Sequence, residues 1–229
     1  MSAELISIII PTLNEVEHIA ACVRSAGMAE NKEIIVSDGG SLDGTQARAE
    51  AEGALVLHSA PGRAVQMNNG AGAATGGILL FLHADALLPE GYDIHVRRLL
   101  GRRDSVAGAF RLGIRHRGRC YRFLETMANI RSRWFQMPYG DQALFMTSNL
   151  FWSIGCFPDM RLMEDFELVR RMKKCGRVVT APVAVAVSPR RWRKLGILKT
   201  TVINQIIIIA YLAGTSPDRL AAYYYGQKE

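Results

Sequence analysis

The sequence predicts an α/β fold in which a mostly parallel central sheet is flanked by helices. Short apolar runs rich in β-branched residues recur along the first part of the chain, at residues 5–11, 33–37, 54–58 and 78–82. Such runs are typical of strands buried on both faces. Segments with helical spacing lie between them, at residues 19–26, 45–51 and 64–74. This alternation of strands and helices builds a parallel sheet covered by helices.

The pattern becomes less regular after residue 89. We expect a helix at 93–100, a strand at 106–112, a helix at 120–131 and a strand at 143–146. A further helix begins near Met163 and ends at Gly176. Its first turn is acidic and its later turns are basic, an order that compensates the helix dipole.

The charge of the chain narrows the classes of partner. Its 229 residues include 28 Lys and Arg against 21 Asp and Glu, a formal net charge of +7. This balance favours a phosphorylated small molecule or an acidic membrane surface. Nucleic acid is disfavoured, because the basic residues read as scattered and accompany neither zinc-finger spacing nor an aromatic RNA-binding strand.

The cysteines and the beginning of the chain bear on its compartment. The four cysteines form no CxxC pair, so reduced thiols are expected rather than a zinc knuckle or a disulfide framework. The first residues lack the basic region and apolar stretch of a signal peptide. We therefore expect a cytoplasmic protein.

Polar residues directly follow three of the predicted strands. Residues 11–15 read PTLNE, residues 38–45 read DGGSLDGT, and residues 83–85 read HAD. Ligands of such sheets bind beyond the carboxyl ends of the strands, so we expect a nucleotide pocket at this edge. No GxGxxG fingerprint follows a strand, and the sequence contains no P-loop, HExxH or GxSxG motif.

Four ordered blocks extend this reading over most of the chain. They read SIIIPTLNE, EIIVSDGGSLDGT, GRAVQMNNGAGAATGGILLFLHAD and FPDMRLMEDFELVRRMKKCG, and they run from Ile6 to Gly176. The blocks resemble those of the family 2 glycosyltransferases, which implies a GT-A (Rossmann-like) fold. The sequence has HAD where most members have DxD. In this respect it resembles the subgroup called radical-SAM/selenodomain-associated transferases.

The resemblance implies one domain over residues 1–229 in three parts. These are a nucleotide-binding half over about 1–90, an acceptor half over about 91–190 and a C-terminal helical segment over about 191–229. The implied reaction moves a sugar from a nucleoside diphosphate to an acceptor hydroxyl.

The same resemblance assigns residues to the donor. The implied nucleotide-sugar contacts are Pro11, Leu13, Glu15, Asp38, Arg63, Gln66 and Asp85. Asp85 also matches the last carboxylate of the DxD motif, which holds Mn²⁺ or Mg²⁺, hard cations that prefer oxygen ligands. His83 replaces the first carboxylate. It is expected to ligate the metal, to hydrogen-bond the ribose, or merely to end a strand.

Asp165 matches the second position of the ED motif, which supplies the catalytic base. A sugar diphosphate leaves as a highly charged anion and requires a divalent cation or arginines. The attacking hydroxyl must lose a proton, which a carboxylate within hydrogen-bond reach can accept. The resemblance thus implies direct displacement with inversion. The simpler reading of Asp165 is compensation of a helix dipole, and one carboxylate can serve both purposes.

The acceptor side has weaker signals. The expected acceptor contacts are Glu164, Asp141 and Trp192. Residues 188–192 read SPRRW and are similar to the QxxRW motif of processive members, but Ser188 replaces the glutamine. A non-processive enzyme is therefore expected. Arg191 is a candidate donor contact and Trp192 a candidate platform for a sugar ring; the alternative is a solvated basic patch over 190–194.

Residues 200–217 carry no charge and include four consecutive isoleucines. The segment is short for a bilayer span, so a helix packed on the domain or lying in a membrane interface is expected. The basic cluster before it favours contact with anionic lipid at the inner face of the membrane. Carbohydrate, lipid-linked and small-molecule acceptors all fit.

Other functions compete with glycosyl transfer. The replaced DxD carboxylate suits a non-catalytic nucleotide-sugar-binding protein, and the apolar C-terminal segment suits a membrane-recruited scaffold. A nucleotidyltransferase is disfavoured, because PTLNE stands where its glycine-rich phosphate loop is expected.

Overall fold

The computed structural model describes residues 4–226, apart from the side chains of Arg191 and Leu195. Its centre is a sheet of eight strands: β1 Ile6–Thr12, β2 Lys32–Asp38, β3 Leu55–His58, β4 Ile78–Phe81, β5 Ala86–Leu87, β6 Ser105–Ile114, β7 Leu144–Thr147 and β8 Arg177–Val187. Their order is β3-β2-β1-β4-β7-β6-β8-β5. Strands β1 to β4 pair in parallel, and so do β6 and β8. Strand β7 is antiparallel to both of its neighbours, and β5 is antiparallel to β8.

Ten helices accompany the sheet in the part of the chain that the structure describes. They are α1 Val16–Gly27, α2 Thr45–Ala51, α3 Arg63–Ala73, α4 Tyr92–Leu100, α5 Arg119–Trp134, α6 Ser148–Ser153, α7 Glu164–Cys175, α8 Arg190–Leu195, α9 Ile197–Leu212 and α10 Pro217–Gly226. The predicted α/β fold with a mostly parallel sheet and a C-terminal helical extension is confirmed, with element ends shifted by a few residues.

The core lies on both faces of the sheet because successive side chains of a strand point to opposite faces. In β1, Ile8 and Ile10 belong to the cluster that contains Tyr92 and Phe110, whereas Ile9 belongs to the cluster on the other face. Helix α3 approaches β1 so closely that a Cβ at Gly70 would lie 2.5 Å from the Ile9 side chain. Tight packing of α3 therefore requires glycine at this position.

Strand β8 is absent from the sequence prediction, which places no element between Gly176 and the basic cluster. It runs beside β6 with a register shift between the pairs Ala109–Thr180 and Arg111–Ala184. Pro182 lies inside this irregularity, where the missing N–H breaks no regular ladder. The strand ends at Val187 and delivers the chain to α8 beside the carboxyl ends of β1 and β4.

The C-terminal helices pack on the domain next to the start of α7. Ile203 and Ile207 of α9 and Tyr224 of α10 form one buried cluster with Met163 and Phe166. This packing confirms the expected helix on the domain. Within residues 4–226, no helix has both the length and the apolar character needed to cross a membrane.

Candidate active site

A cavity of about 990 Å³ lies beyond the carboxyl ends of β1 and β4, bordered by the start of α7 and by the C-terminal helices. Most of the predicted site residues border it: Pro11, Leu13, Glu15, Arg63, Gln66, His83, Asp85, Asp141, Asp165 and Trp192. Two others, Asp38 and Glu164, are buried behind the wall. The cavity thus joins the predicted donor and acceptor sides in one space.

Asp165 is held in a fixed orientation at the first turn of α7. Its Oδ2 accepts a hydrogen bond from the Gly140 N–H at 2.7 Å, and its Oδ1 accepts one from the Phe166 N–H at 2.7 Å. A Cβ at Gly140 would lie 3.2 Å from both Asp165 Oδ2 and His83 Nε2. Gly140 therefore lets the backbone approach both side chains, and the three residues form one compact group.

His83 ends β4 and faces the same group. Burial lowers the pKa of His83 below its ordinary value, and the charge of Arg63 lowers it further, although Asp85, Asp141 and Asp165 act in the opposite sense. Its imidazole is consequently neutral at neutral pH. A neutral ring keeps one nitrogen free to accept a hydrogen bond or to ligate a metal ion.

Asp85 lies in an ion-pair network that the sequence analysis did not foresee. The Arg190 Nε is 3.1 Å from Asp85 Oδ2, and its two Nη atoms bind the carboxylate of Glu15, one of them at 2.8 Å from Oε2. Arg190 thereby ties the start of α8 to two donor-side carboxylates. Its neighbour Arg191 was the residue predicted to contact the donor, and the Arg191 side chain lies outside the described part of the chain.

Arg63 and Glu164 form an ion pair at the wall of the cavity. The Arg63 Nε lies 3.0 Å from Glu164 Oε1. Glu164 is 1% exposed, and among the described residues its Oε2 has no hydrogen-bond partner. Burial raises the pKa of Glu164, Arg63 opposes the shift, and Asp165 adds to it. Glu164 therefore holds Arg63 from behind, a position that differs from the expected acceptor contact.

Asp38 and Gln66 brace the strand ends from within. The Asp38 carboxylate accepts hydrogen bonds from the Thr12 hydroxyl at 3.0 Å and from the Ser41 N–H at 2.8 Å. Burial raises the pKa of Asp38, but hydrogen bonds, above all from Ser41, outweigh it and hold that pKa low. The Gln66 amide donates to the carbonyls of Thr12 and Ser37 at 2.6 and 2.9 Å. Both side chains thus fix the loops that shape the pocket.

Two predicted acceptor contacts have different surroundings. Asp141 lies in a 3₁₀ turn over Gly140–Gln142 and borders the cavity. Trp192 packs partly against the core, where its ring meets that of Tyr121 edge-on at 6.4 Å. Trp192 also borders the cavity.

Few of the described side chains are placed to ligate the predicted metal ion. Within residues 4–226, no group of three or more His, Cys, Asp and Glu side chains is arranged to hold a metal ion. The two predicted metal ligands, Asp85 and His83, both border the cavity.

Comparison with known proteins identifies the family. Residues 7–163 match the family model described as Glycosyl transferase family 2. No curated protein matches the chain in sequence.

Solved structures share the fold. The chain is similar to the mannosyltransferase PcManGT from Pyrobaculum calidifontis, solved with GDP-Man and Mn²⁺, with a TM-score of 0.67 and 19% identity over 100% of this chain and 70% of that chain. It is also similar to glucosyl-3-phosphoglycerate synthase from Mycobacterium tuberculosis, solved with Mn²⁺, UDP and phosphoglyceric acid. The TM-score is 0.63 and the identity 20%, over 93% of this chain and 80% of that chain. A third similar structure is S. aureus TarS 1-349 in complex with UDP, with a TM-score of 0.65 and 16% identity over 96% of this chain and 70% of that chain. With a family match over more than half of its length and this shared architecture, the chain belongs to glycosyl transferase family 2 and has the GT-A fold.

Proposed function

We propose that this chain transfers a sugar from a nucleoside diphosphate donor to an acceptor hydroxyl, with inversion at the anomeric carbon and one transfer per binding event. The observation that carries the proposal is that Asp85 and Asp165 border the same cavity. Direct displacement requires charge stabilisation of a leaving diphosphate and a base at the acceptor oxygen. Asp85 would serve the first task by holding a divalent cation at the diphosphate, and Asp165 would serve the second as the base.

In this mechanism Asp165 is the catalytic base. The acceptor oxygen forms a bond to the anomeric carbon while the bond from that carbon to the diphosphate oxygen breaks, and the hydroxyl proton moves to Asp165. Hydrogen bonds from Gly140 and Phe166 orient the carboxylate. A carboxylate has about four lone-pair sites, so each oxygen keeps one for the acceptor hydroxyl.

The leaving diphosphate is assigned to the cationic wall of the cavity. Arg63 borders it with 39% of its side chain exposed, and Arg190 borders it with 49% exposed. A guanidinium presents several N–H donors in a fixed plane and suits phosphate oxygens. Pro11 and Leu13 border the nucleoside, whereas Asp38 and Gln66 act by holding the strand ends in place.

A divalent cation fits this site if it arrives with the donor. Mg²⁺ commonly binds through one or two protein groups, substrate phosphates and water. Asp85 supplies a carboxylate oxygen, and the neutral ring of His83 supplies a nitrogen that Mn²⁺ accepts. When bound, the cation stabilises the charge that develops on the diphosphate. The presence of Mn²⁺ in the structure of PcManGT supports this assignment.

On the acceptor side, Trp192 and Asp141 are the residues we assign to acceptor contacts. Ser188 in place of glutamine supports a non-processive enzyme. The HAD sequence supports membership of the radical-SAM/selenodomain-associated subgroup. The acceptor is a carbohydrate, a lipid-linked molecule or a small molecule.

We also propose that the protein acts in the cytoplasm, with peripheral contact between α9 and the inner face of the membrane. Leu198, Ile206 and Ile209 of this helix are exposed, at 78%, 46% and 66%. These side chains support contact with lipid, because exposed apolar faces of this kind mark interaction surfaces.

Replacing the base tests the proposal most simply. Asp165→Asn keeps the shape of the side chain but removes the proton acceptor, so we expect turnover to fall by about 10²- to 10⁴-fold with donor binding retained. The assay is release of nucleoside diphosphate from UDP-glucose or GDP-mannose in the presence of hydroxyl-bearing acceptors. Asp159→Asn, in the exposed loop before α7, is the matched control and should keep full activity.

Two results would favour other functions. Donor binding without transfer to any acceptor by the unaltered protein would indicate a non-catalytic nucleotide-sugar-binding protein. Release of pyrophosphate from a nucleoside triphosphate and a sugar phosphate would indicate a nucleotidyltransferase.

A further inference from the structure

The outward face of α5 is apolar and unpartnered in the described part of the chain. Phe123, Met127, Ile130 and Trp134 are 65%, 51%, 43% and 74% exposed. Their spacing of four, three and four residues places them on one side of the helix. Phe135, directly after the helix, is 65% exposed and extends the same face. These five residues form what we call the α5 face.

The α5 face is held firmly outward by the opposite side of the helix. Asn129 binds both backbone groups of Leu112 in β6, accepting from its N–H at 2.7 Å and donating to its carbonyl at 3.1 Å. Tyr121 and Ser132 are buried on the same inner side. Because the helix is anchored in this way, it cannot bury its apolar face by a simple rotation.

Positive charge is concentrated in the segment of the chain that contains this face. Residues 111–135 contain seven of the 28 basic residues of the chain but only one of its 21 acidic residues, Glu125. This segment therefore has a net charge of +6, whereas the whole chain has a net charge of +7. The basic residues that seemed scattered along the sequence are thus unevenly distributed. Six of the seven arginines are exposed: Arg111, Arg115, Arg117, Arg119, Arg122 and Arg133. At 100° per residue, Arg119 and Arg133 lie along one edge of the apolar stripe.

We propose that the α5 face docks on an anionic phospholipid bilayer, with its apolar side chains in the interface and the surrounding arginines at the lipid headgroups. A helix with an apolar face, aromatic residues and a basic flank is suited to lie in the plane of a membrane interface. Each arginine near an anionic surface strengthens attachment, and its aliphatic stem lies along apolar surface while the guanidinium stays in water.

Charge favours lipid over a second copy of the chain. A symmetric dimer through the α5 face would bring two strongly positive segments together, and like charges in an interface oppose association. An anionic bilayer supplies both an apolar layer and negative charge. The inference does not depend on glycosyl transfer, since it concerns a surface outside the cavity.

The docking surface is close to the cavity. The ring of Tyr121 in α5 meets Trp192, which borders the cavity. Tyr139, five residues after the helix, borders it as well, and the Arg131 guanidinium stacks on its ring at 3.4 Å. Because Tyr121 lies on the inner side of α5, the helix itself separates the α5 face from the wall of the cavity.

Vesicle sedimentation of the full chain tests the inference. We expect binding to vesicles of phosphatidylcholine with about one third phosphatidylglycerol, weaker binding to phosphatidylcholine alone, and a decrease with added salt. Phe123→Gln with Trp134→Gln should remove the part of the binding that depends on the α5 face, whereas contact through α9 would remain. Arg119→Gln with Arg133→Gln should weaken it by about 25-fold, roughly fivefold for each arginine. The matched controls are Ile94→Gln and Arg98→Gln, exposed residues of α4 that should change nothing.

Tryptophan fluorescence locates the contact. Vesicles should shift the emission of the unaltered protein to shorter wavelength, and Trp134→Phe should lose most of this shift while it still sediments. The inference is overturned if the Phe123 and Trp134 variants bind like the unaltered protein, if the shift persists in Trp134→Phe, or if the chain ignores anionic vesicles. A dimer in solution that only these variants dissociate, without lipid binding, would assign the face to a second copy instead. The thermal shift with donor nucleotide should be equal in all variants, which separates this test from that of the proposed function.

Discussion

Replacing Arg63 with methionine leaves the buried carboxylate of Glu164 without its ion-pair partner. Glu164 is 1% exposed, and its Oε1 lies 3.0 Å from the Arg63 Nε. Its Oε2 has no hydrogen-bond partner among the described residues. The structure therefore offers this carboxylate little compensation once the guanidinium is removed, and we expect the folded state to lose stability.

The magnitude follows from the burial of the two partners. Removing one member of a fully buried pair costs about 3–5 kcal/mol. Because the Arg63 side chain is 39% exposed, solvent screens the pair, and we reduce this to about 1–3 kcal/mol. For a domain of this size each kcal/mol lowers Tm by about 2–4 °C, so we expect a decrease of roughly 2–12 °C.

The pH dependence of the loss identifies its cause. Burial already raises the pKa of Glu164 above its usual 4.5 in the folded state, and Arg63 opposes that shift. Without Arg63 the folded-state pKa rises further, so the folded chain binds a proton that the unfolded chain releases. The stability of Arg63→Met should therefore fall as pH rises from about 4.5 through the folded-state pKa.

Urea unfolding of the variant across this pH range is the assay. Arg63→Met with Glu164→Gln is the matched control, since it removes the unpaired charge and should recover most of the free energy of unfolding at neutral pH. Equal stability of Arg63→Met and the unaltered protein at neutral pH would show that Glu164 does not depend on its ion pair with Arg63. A loss that is the same at low and neutral pH would show that the charge of Glu164 is not its cause.

Two further substitutions test the donor side. Arg190→Gln should weaken nucleoside diphosphate binding by about tenfold, measured by calorimetry, because a charge-assisted contact is lost. Its effect on Tm should be small, since the Arg190 side chain is 49% exposed and solvent screens its ion pairs. Unchanged affinity would remove Arg190 from the donor site. Gln66→Leu should lower the free energy of unfolding by about 2–4 kcal/mol, because the carbonyls of Thr12 and Ser37 lose a buried donor. Urea unfolding measures this, and a loss below about 1 kcal/mol would contradict the bracing role.

The first half of the fold was predictable because its signals are local. β1 is buried on both faces and reads as an unbroken apolar run, and the helices that follow it show helical spacing. Polar residues at the strand ends indicated where the cavity lies, because the carboxyl ends of parallel strands meet at one edge. Ten of the thirteen predicted site residues border that cavity.

Strand β8 escaped prediction although its residues alternate in burial toward its carboxyl end. Pro182 interrupts the run and is typical of a loop or an edge strand. The strand tolerates it because the register with β6 shifts at this point. That shift depends on how two segments about 70 residues apart come to pair, which local sequence does not encode.

The sequence also could not predict which of two adjacent helical residues faces the cavity. Glu164 and Asp165 are neighbours in α7, but only Asp165 borders the cavity. Arg190 in α8 reaches Glu15 and Asp85, and nothing in the sequence distinguished it from the other basic residues of its cluster. Successive residues of a helix point about 100° apart, so tertiary packing decides which of the two faces the site.

A donor site at Asp85 predicts that nucleotides stabilise the folded protein, which can be measured as Tm with UDP, GDP and dTDP, each with and without Mn²⁺. A ligand that binds only the folded state stabilises it by about 2.7 kcal/mol at a concentration of 100 Kd, or roughly 5–10 °C in Tm here. We predict that one nucleotide raises Tm by this amount, more strongly with Mn²⁺, and that Asp85→Ala loses the increase. If no nucleotide changes Tm with or without Mn²⁺, the cavity is not a nucleotide-sugar site and the account is wrong.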